Sequence, residues 1–117
     1  MSIDVTPVND PPLAYGDTYT TTQGSSLVVN PPGILQNDID VDGDPLTPIL
    51  ITDVSHGTLA LALDGSFTYD PAAGFSWIDQ FTYLVSDGDG NSAPATVSIV
   101  VTPLVSEYRV FITLLIR

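Results

Sequence analysis

The chain has 117 residues, a formal net charge of −12 and no cysteine, which allows one small domain and excludes disulfide staples and thiolate metal sites. Thirteen of the 14 acidic residues are Asp, and the two basic residues are Arg109 and Arg117, so residues 1–106 contain neither Lys nor Arg. A body of this charge repels phosphate backbones and anionic headgroups, which excludes nucleic acid and electrostatic membrane attachment. Behind Met1 there is no basic stretch followed by an apolar run, so a mature piece of a longer protein, or export without the usual signal, is expected.

Ten Pro and nine Gly interrupt every helical window, and short alternating runs between turn signals predict an all-β sandwich. The first strands are predicted over residues 15–21 and 26–30. Between them and the third lies NDIDVDGDPLT, residues 37–47, with Asp38, Asp40, Asp42 and Asp44 at every second position around Gly43. Four carboxylates this close repel one another unless a cation sits among them, and hard oxygen ligands at this density suit Ca²⁺. A helix-loop-helix calcium site needs a bidentate Glu at the twelfth loop position, where this chain has Ile49, and Pro45 opposes that geometry. The motif therefore reads as a calcium-binding turn between strands, or as a solvated Asx-turn loop that binds nothing specific.

Further strands are predicted over residues 48–54, 58–63, 66–69, 80–86 and 95–102, which makes seven. Asp64-Gly65 marks a tight hairpin. In the last strand Ala95, Val97, Ile99 and Val101 share one face while Thr96, Ser98 and Thr102 share the other, the pattern of a strand with one buried side. The run Asp87-Gly88-Asp89-Gly90-Asn91 is a second hairpin signal, read either as turn chemistry alone or as turn chemistry with an added calcium-ligand role.

Ile3-x-Val5-Thr6-Pro7 recurs as Ile99-x-Val101-Thr102-Pro103, 96 residues on. This spacing is one immunoglobulin-sized unit, so residues 1–12 read as the end of a preceding repeat with its linker and residues 13–103 as the sandwich. The succession VTPVNDPP (5–12), NDIDVDGDPLT (37–47), HGTLAL-x-x-DGSFTYDPAAGF (56–75) and DQFTYLVSDGDGNSAPATVSIVVTP (79–103) resembles the bacterial cadherin-like and Ig-like tandem repeats of large surface adhesins. The resemblance implies an Ig-like Greek-key β-sandwich stacked end to end with like domains at the cell surface or outside the cell, with Ca²⁺ stiffening the junctions. It also implies oxygen ligands at Asn9, Asp10, Asp38, Asp40, Asp42, Asp87 and Asp89. Two departures stand out: Trp77 occupies a place where such repeats carry a small or polar residue, and Leu104-Val105-Ser106 replaces the Val-Asn-Asp linker expected after Pro103.

Residues 104–117 are the most apolar part of the chain. Tyr108, Val110, Ile112, Leu114 and Ile116 fall on one face of an extra C-terminal strand, too short to span a bilayer as a helix. The strand is expected either to cap its own sandwich or to insert into a neighbouring copy and propagate a filament. Enzymatic activity is not expected: His56 is the lone His, beside Gly57 at a turn, and neither Cys nor Lys is present to partner it. A glycan-binding module is the remaining alternative, with Trp77 and either Phe75 or Tyr15 as a stacking platform. Against it stands simple burial of each aromatic at the sandwich edge.

Overall fold

A computed structural model describes residues 10–104 of the chain. Asn9 and the C-terminal face formed by Tyr108, Val110, Ile112, Leu114 and Ile116 lie outside the described residues. Seven strands follow in order: β1 (Asp17–Thr22), β2 (Leu27–Val29), β3 (Thr47–Thr52), β4 (Gly57–Leu61), β5 (Phe67–Pro71), β6 (Trp77–Ser86) and β7 (Ala95–Thr102), with a 3₁₀ turn at Gly33–Leu35. They form a four-stranded sheet of order β1-β7-β6-β3 and a three-stranded sheet of order β2-β5-β4. This is an all-β sandwich, and each of the seven strands overlaps a segment in which alternation predicts one.

The alternation decides which face is buried. Along β6 the residues Asp79, Phe81, Tyr83 and Val85 turn inward, and along β7 so do Ala95, Val97, Ile99 and Val101. Phe67 and Tyr69 of β5 and Ile34 of the 3₁₀ turn close the core from the other side. Phe67 packs edge-to-face between Tyr19, with ring centroids 5.1 Å apart, and Phe81, at 5.7 Å, the arrangement that ring quadrupoles favour.

Three connections place the functional end. Strand β1 pairs with β7 in parallel, Asp17 opposite Val97, so the segment leading into β1 enters at the end where β7 begins. Strand β3 pairs antiparallel with β6, Thr47 opposite Ser86. The loop before β3 and the hairpin after β6 therefore emerge side by side at that same end. The 3₁₀ turn is seated by contact between two backbones: a Cβ on Gly33 would stand 1.9 Å from the Gly65 carbonyl oxygen, and one on Gly65 would stand 2.1 Å from that of Pro32. Both glycines have positive φ, 54° and 89°, which L side chains adopt only with strain.

Candidate metal centre

The two Asp-rich loops fold by the same local chemistry. In the first, the Asp40 carboxylate accepts the backbone N–H of Asp42 on Oδ1 at 2.9 Å and that of Asp44 on Oδ2 at 3.1 Å. The Gly43 N–H donates to the Asp40 carbonyl at 3.0 Å, closing a turn that Gly43 completes with φ 79°. In the second, Asp87 Oδ1 accepts N–H groups from Asp89 at 2.9 Å and Gly90 at 2.7 Å, and Gly88 supplies φ 96°. Short carboxylates that tie down their own backbone two to four residues ahead leave the following side chains gathered on one side of the turn.

The result is a convergence of four carboxylates. Asp40, Asp42, Asp44 and Asp87 each offer one oxygen, and these oxygens lie within 4.8 Å of one another. Asp87 is 8 % exposed. Burial, followed by the charges of Asp40, Asp87, Asp42 and Asp89, pushes the Asp44 carboxyl above its ordinary range. Residues 10–104 contain no Lys or Arg to offset that charge.

The segment ahead of β1 reaches this end too. The Asp10 N–H donates to Asp42 Oδ2 at 2.9 Å, and Leu13 and Ile39 exchange backbone hydrogen bonds of 2.8 and 2.9 Å. Asp10 thus touches the loop through its backbone. Asp89 lies close enough to raise Asp44 but outside the group of four.

Asp38 points elsewhere. Its Oδ1 accepts the Tyr15 N–H at 2.9 Å and its Oδ2 accepts the buried Tyr83 hydroxyl at 2.7 Å, so it fastens the segment ahead of β1 to β6 instead of facing Asp40. Asp44, which completes the every-second-residue pattern, joins the cluster in its place. The signal for Asp44 is the spacing itself. What the spacing does not carry is the phase, because the turn at Gly43 lies between these residues and strict alternation fails there.

Asp17 and Asp38 form a second acidic pair. Asp17 Oδ2 is buried with no hydrogen-bond partner among the described residues. Burial and the Asp38 charge, partly countered by the Asn37 side chain, push the Asp17 carboxyl up to about 6. At the far end of the sandwich, Asp79 is 2 % exposed. Its carboxylate accepts N–H groups from Ser55 and His56, both at 2.9 Å, the Gln80 N–H at 3.0 Å and the Tyr69 hydroxyl at 2.7 Å. Burial alone would raise the Asp79 carboxyl, but these four donors outweigh it and hold the group below its usual range.

Tyr15 and Trp77 do not gather into one platform. The His56 ring stacks on Phe75 with centroids 4.4 Å apart. Tyr15 accepts a hydrogen bond on its carbonyl from Tyr83, whereas Trp77 is the first residue of β6. Six strand positions, roughly 20 Å at a strand rise of about 3.3 Å, separate Tyr83 from Trp77. Trp77 is 72 % exposed.

Two sheets packed on an aromatic core, with acidic loops collected at the end where the segment ahead of β1 enters, define a cadherin- or immunoglobulin-like module. The chain belongs to the bacterial cadherin-like domain family, whose model matches residues 9–103. It is 36 % identical over 91 residues to Protein GAMETE EXPRESSED 2 of Arabidopsis thaliana, a match that covers 77 % of this chain and 9 % of that protein. Among solved structures it is similar to the endo-fucoidan hydrolase MfFcnA9 of glycoside hydrolase family 107, with TM-score 0.58, 17 % identity, and 84 % of this chain and 17 % of that one covered. It is also similar to a nucleoside hydrolase-related protein from Saccharophagus degradans associated with carbohydrate metabolism, with TM-score 0.51, 14 % identity, and 82 % and 26 % coverage. At such identities the likeness is one of fold. The chain spans a small fraction of each relative. No helix among the described residues is long and apolar enough to cross a membrane.

Proposed function

We propose that this chain is a calcium-stabilised structural repeat of an extracellular adhesin or surface fibre, working by stacking with like domains and without catalysis. The observation that carries the reading is the meeting of Asp40, Asp42, Asp44 and Asp87, from two loops far apart in sequence, with no Lys or Arg among residues 10–104 to neutralise them. The donor set fits the ion. Calcium takes oxygen ligands at about 2.3–2.6 Å, so opposite ligands stand roughly 5 Å apart, and the four oxygens lie within 4.8 Å of one another. When bound, the ion supplies the positive charge that lets the loops remain together. The chain's own residues do the rest: Asp40 and Asp87 hold the two turns, and Asp42 fastens the linker through the Asp10 N–H, so a ligand here stiffens the approach to a preceding domain.

Extracellular calcium modules bind at about 10⁻⁴–10⁻³ M, and a ligand at ten times its Kd stabilises the folded state by about 1.4 kcal/mol. The melting temperature in excess Ca²⁺ is expected to exceed that in chelator by roughly 6–10 °C. Identical melts in the two buffers would remove calcium from the reading. A second reading, glycan binding, is favoured by the single exposed Trp77. It takes first place if a glycan array shows binding to a defined sugar that Trp77→Ala abolishes.

A further inference from the structure

Strand β3 stops short of its neighbour. Thr47 pairs with Ser86 and Thr52 with Thr82, whereas β6 begins at Trp77. Residues 77–81 of β6 therefore pair with β7 on one side and face no described strand on the other. Val85 turns its backbone toward β7: its N–H donates to Ser92 Oγ at 3.0 Å and its carbonyl accepts the Ser92 N–H at 2.8 Å. Counting back along the strand, the odd positions share that direction, so Ile78 and Gln80 turn their backbone groups into the gap. The gap is a cavity of about 330 Å³ whose lining includes Thr52, Asp53, His56, Ile78, Gln80 and Thr82.

The walls are fixed before any ligand arrives. The Asp79 carboxylate accepts N–H groups from Ser55 and His56 on one side and from Gln80 on the other, which ties the loop after β3 to β6. The His56 ring lies flat on Phe75, 7° from parallel. Polar groups on these walls keep capacity to spare. The Thr52 and Thr82 hydroxyls stand 2.7 Å apart and share one hydrogen, which leaves the other free to donate. Gln80 Nε2 donates to Ser98 Oγ at 3.0 Å, leaving the amide oxygen as an acceptor. Asp53 Oδ1 accepts the Val54 N–H at 2.7 Å, and its second oxygen has no such bond among the described residues.

We propose that this cavity binds a neutral sugar residue of an oligosaccharide. Size, charge and chemistry select that class. The volume stands at the lower end of the roughly 300–1,000 Å³ of small-molecule sites, which suits a compact ring. The charged groups on its walls are Asp53 and Asp79, and residues 10–104 hold no Lys or Arg, so phosphate, sulfate and uronate groups are repelled. A sugar ring carries hydroxyls that both donate and accept, matching the mixture of hydroxyl, amide and carboxylate groups here. Ile78, 42 % exposed, offers apolar surface to the C–H face of the ring. A preformed site of this kind loses little freedom on binding. Trp77 does not line the cavity and the Asp cluster lies at the other end of the sandwich, so the inference rests on neither.

Amide NMR spectra of the full chain in excess Ca²⁺, titrated with maltose, cellobiose, lactose, xylobiose and the anionic digalacturonate, test this. Saturable shifts centred on residues 53–56 and 78–82 are expected from at least one neutral sugar and not from digalacturonate. Gln80 and Asp53 are exposed, so Gln80→Ala and Asp53→Ala are expected to keep the melting temperature. Each is expected to weaken sugar binding roughly tenfold, as the loss of one strong hydrogen bond implies, whereas Trp77→Ala leaves it in place. Absence of shifts with all four neutral sugars overturns the proposal, as do shifts centred elsewhere or binding that survives both cavity variants. Equal binding of digalacturonate, or binding lost in Trp77→Ala and intact in Gln80→Ala, overturns it too. The calcium-dependent melt reports separately on the metal site, so failure of one reading leaves the other standing.

Discussion

Asp79 and Asp44 are the same residue put to opposite uses at opposite ends of the sandwich. Asp79 is buried, yet four donors converge on its two oxygens and its carboxyl is held below the usual range. Asp44 is crowded by Asp40, Asp42, Asp87 and Asp89, and its carboxyl is pushed up. A buried carboxylate surrounded by N–H and O–H groups is a finished structural element. Carboxylates surrounded by other carboxylates form a cluster of like charge that a bound cation would stabilise. What separates Asp79 from Asp44 is therefore the groups each carboxylate faces: N–H and O–H donors around the one, carboxylates around the other.

The sharpest way to break that contrast is to remove each member. Asp79→Ala strands the Ser55, His56 and Gln80 N–H groups and the Tyr69 hydroxyl around a small cavity. It is expected to lower stability by roughly 3 kcal/mol, or about 15 °C in melting temperature, with and without calcium. Because the folded carboxyl lies below its ordinary range, the stability that Asp79 contributes is present above the unfolded pKa and is lost as pH falls through the folded one. Asp44→Asn is expected to do the reverse: a melt in chelator that is unchanged or slightly higher, and loss of the calcium response.

Asp38 sharpens the comparison within a single motif, since it lies two residues from Asp40 but faces Tyr15 and Tyr83. Asp38→Ala is expected to cost about 1–2 kcal/mol in chemical denaturation while leaving the calcium-induced rise in melting temperature in place. Equal loss of the calcium response in Asp38→Ala and Asp44→Asn would erase the distinction drawn between them.

The smallest effect concerns Asp17, whose carboxyl is raised to about 6 by burial and the Asp38 charge. A raised folded pKa means that the stability from the protonated form is complete below about pH 4 and is lost as pH climbs toward 6. For a half-buried group screened by solvent the change is about 1 kcal/mol. Denaturation of the parent chain between pH 4 and 7 should show that decline, and Asp17→Asn should flatten it.

Much of the sandwich was legible in the sequence because alternation survives in β5, β6 and β7, where one face meets a core of Phe, Tyr and Val. Asp79 was readable in principle, as it shares the phase of Phe81, Tyr83 and Val85, but an Asp in an inward position attracts notice only once its donors are known. Those donors come from residues 55–56 and 69, which the β4–β5 hairpin brings across. The cluster was half legible. The Asp-x-Asp-x-Asp run announced a candidate cation loop, while the exchange of Asp38 for Asp44 depended on the turn at Gly43 and on Tyr83 reaching Asp38 and Tyr15. The contribution of Asp87 depended on Thr47 pairing with Ser86, a long-range register that local pattern does not encode.

Calorimetric titration of the full chain with Ca²⁺ tests the central claim most directly, run beside Asp44→Asn and Asp87→Asn. Saturable binding with a Kd of about 10⁻⁴–10⁻³ M is expected for the parent, weakened at least tenfold in both variants although their carboxylates belong to different loops. No binding by the parent, or binding that either variant leaves intact, would contradict a metal centre built where the two loops meet.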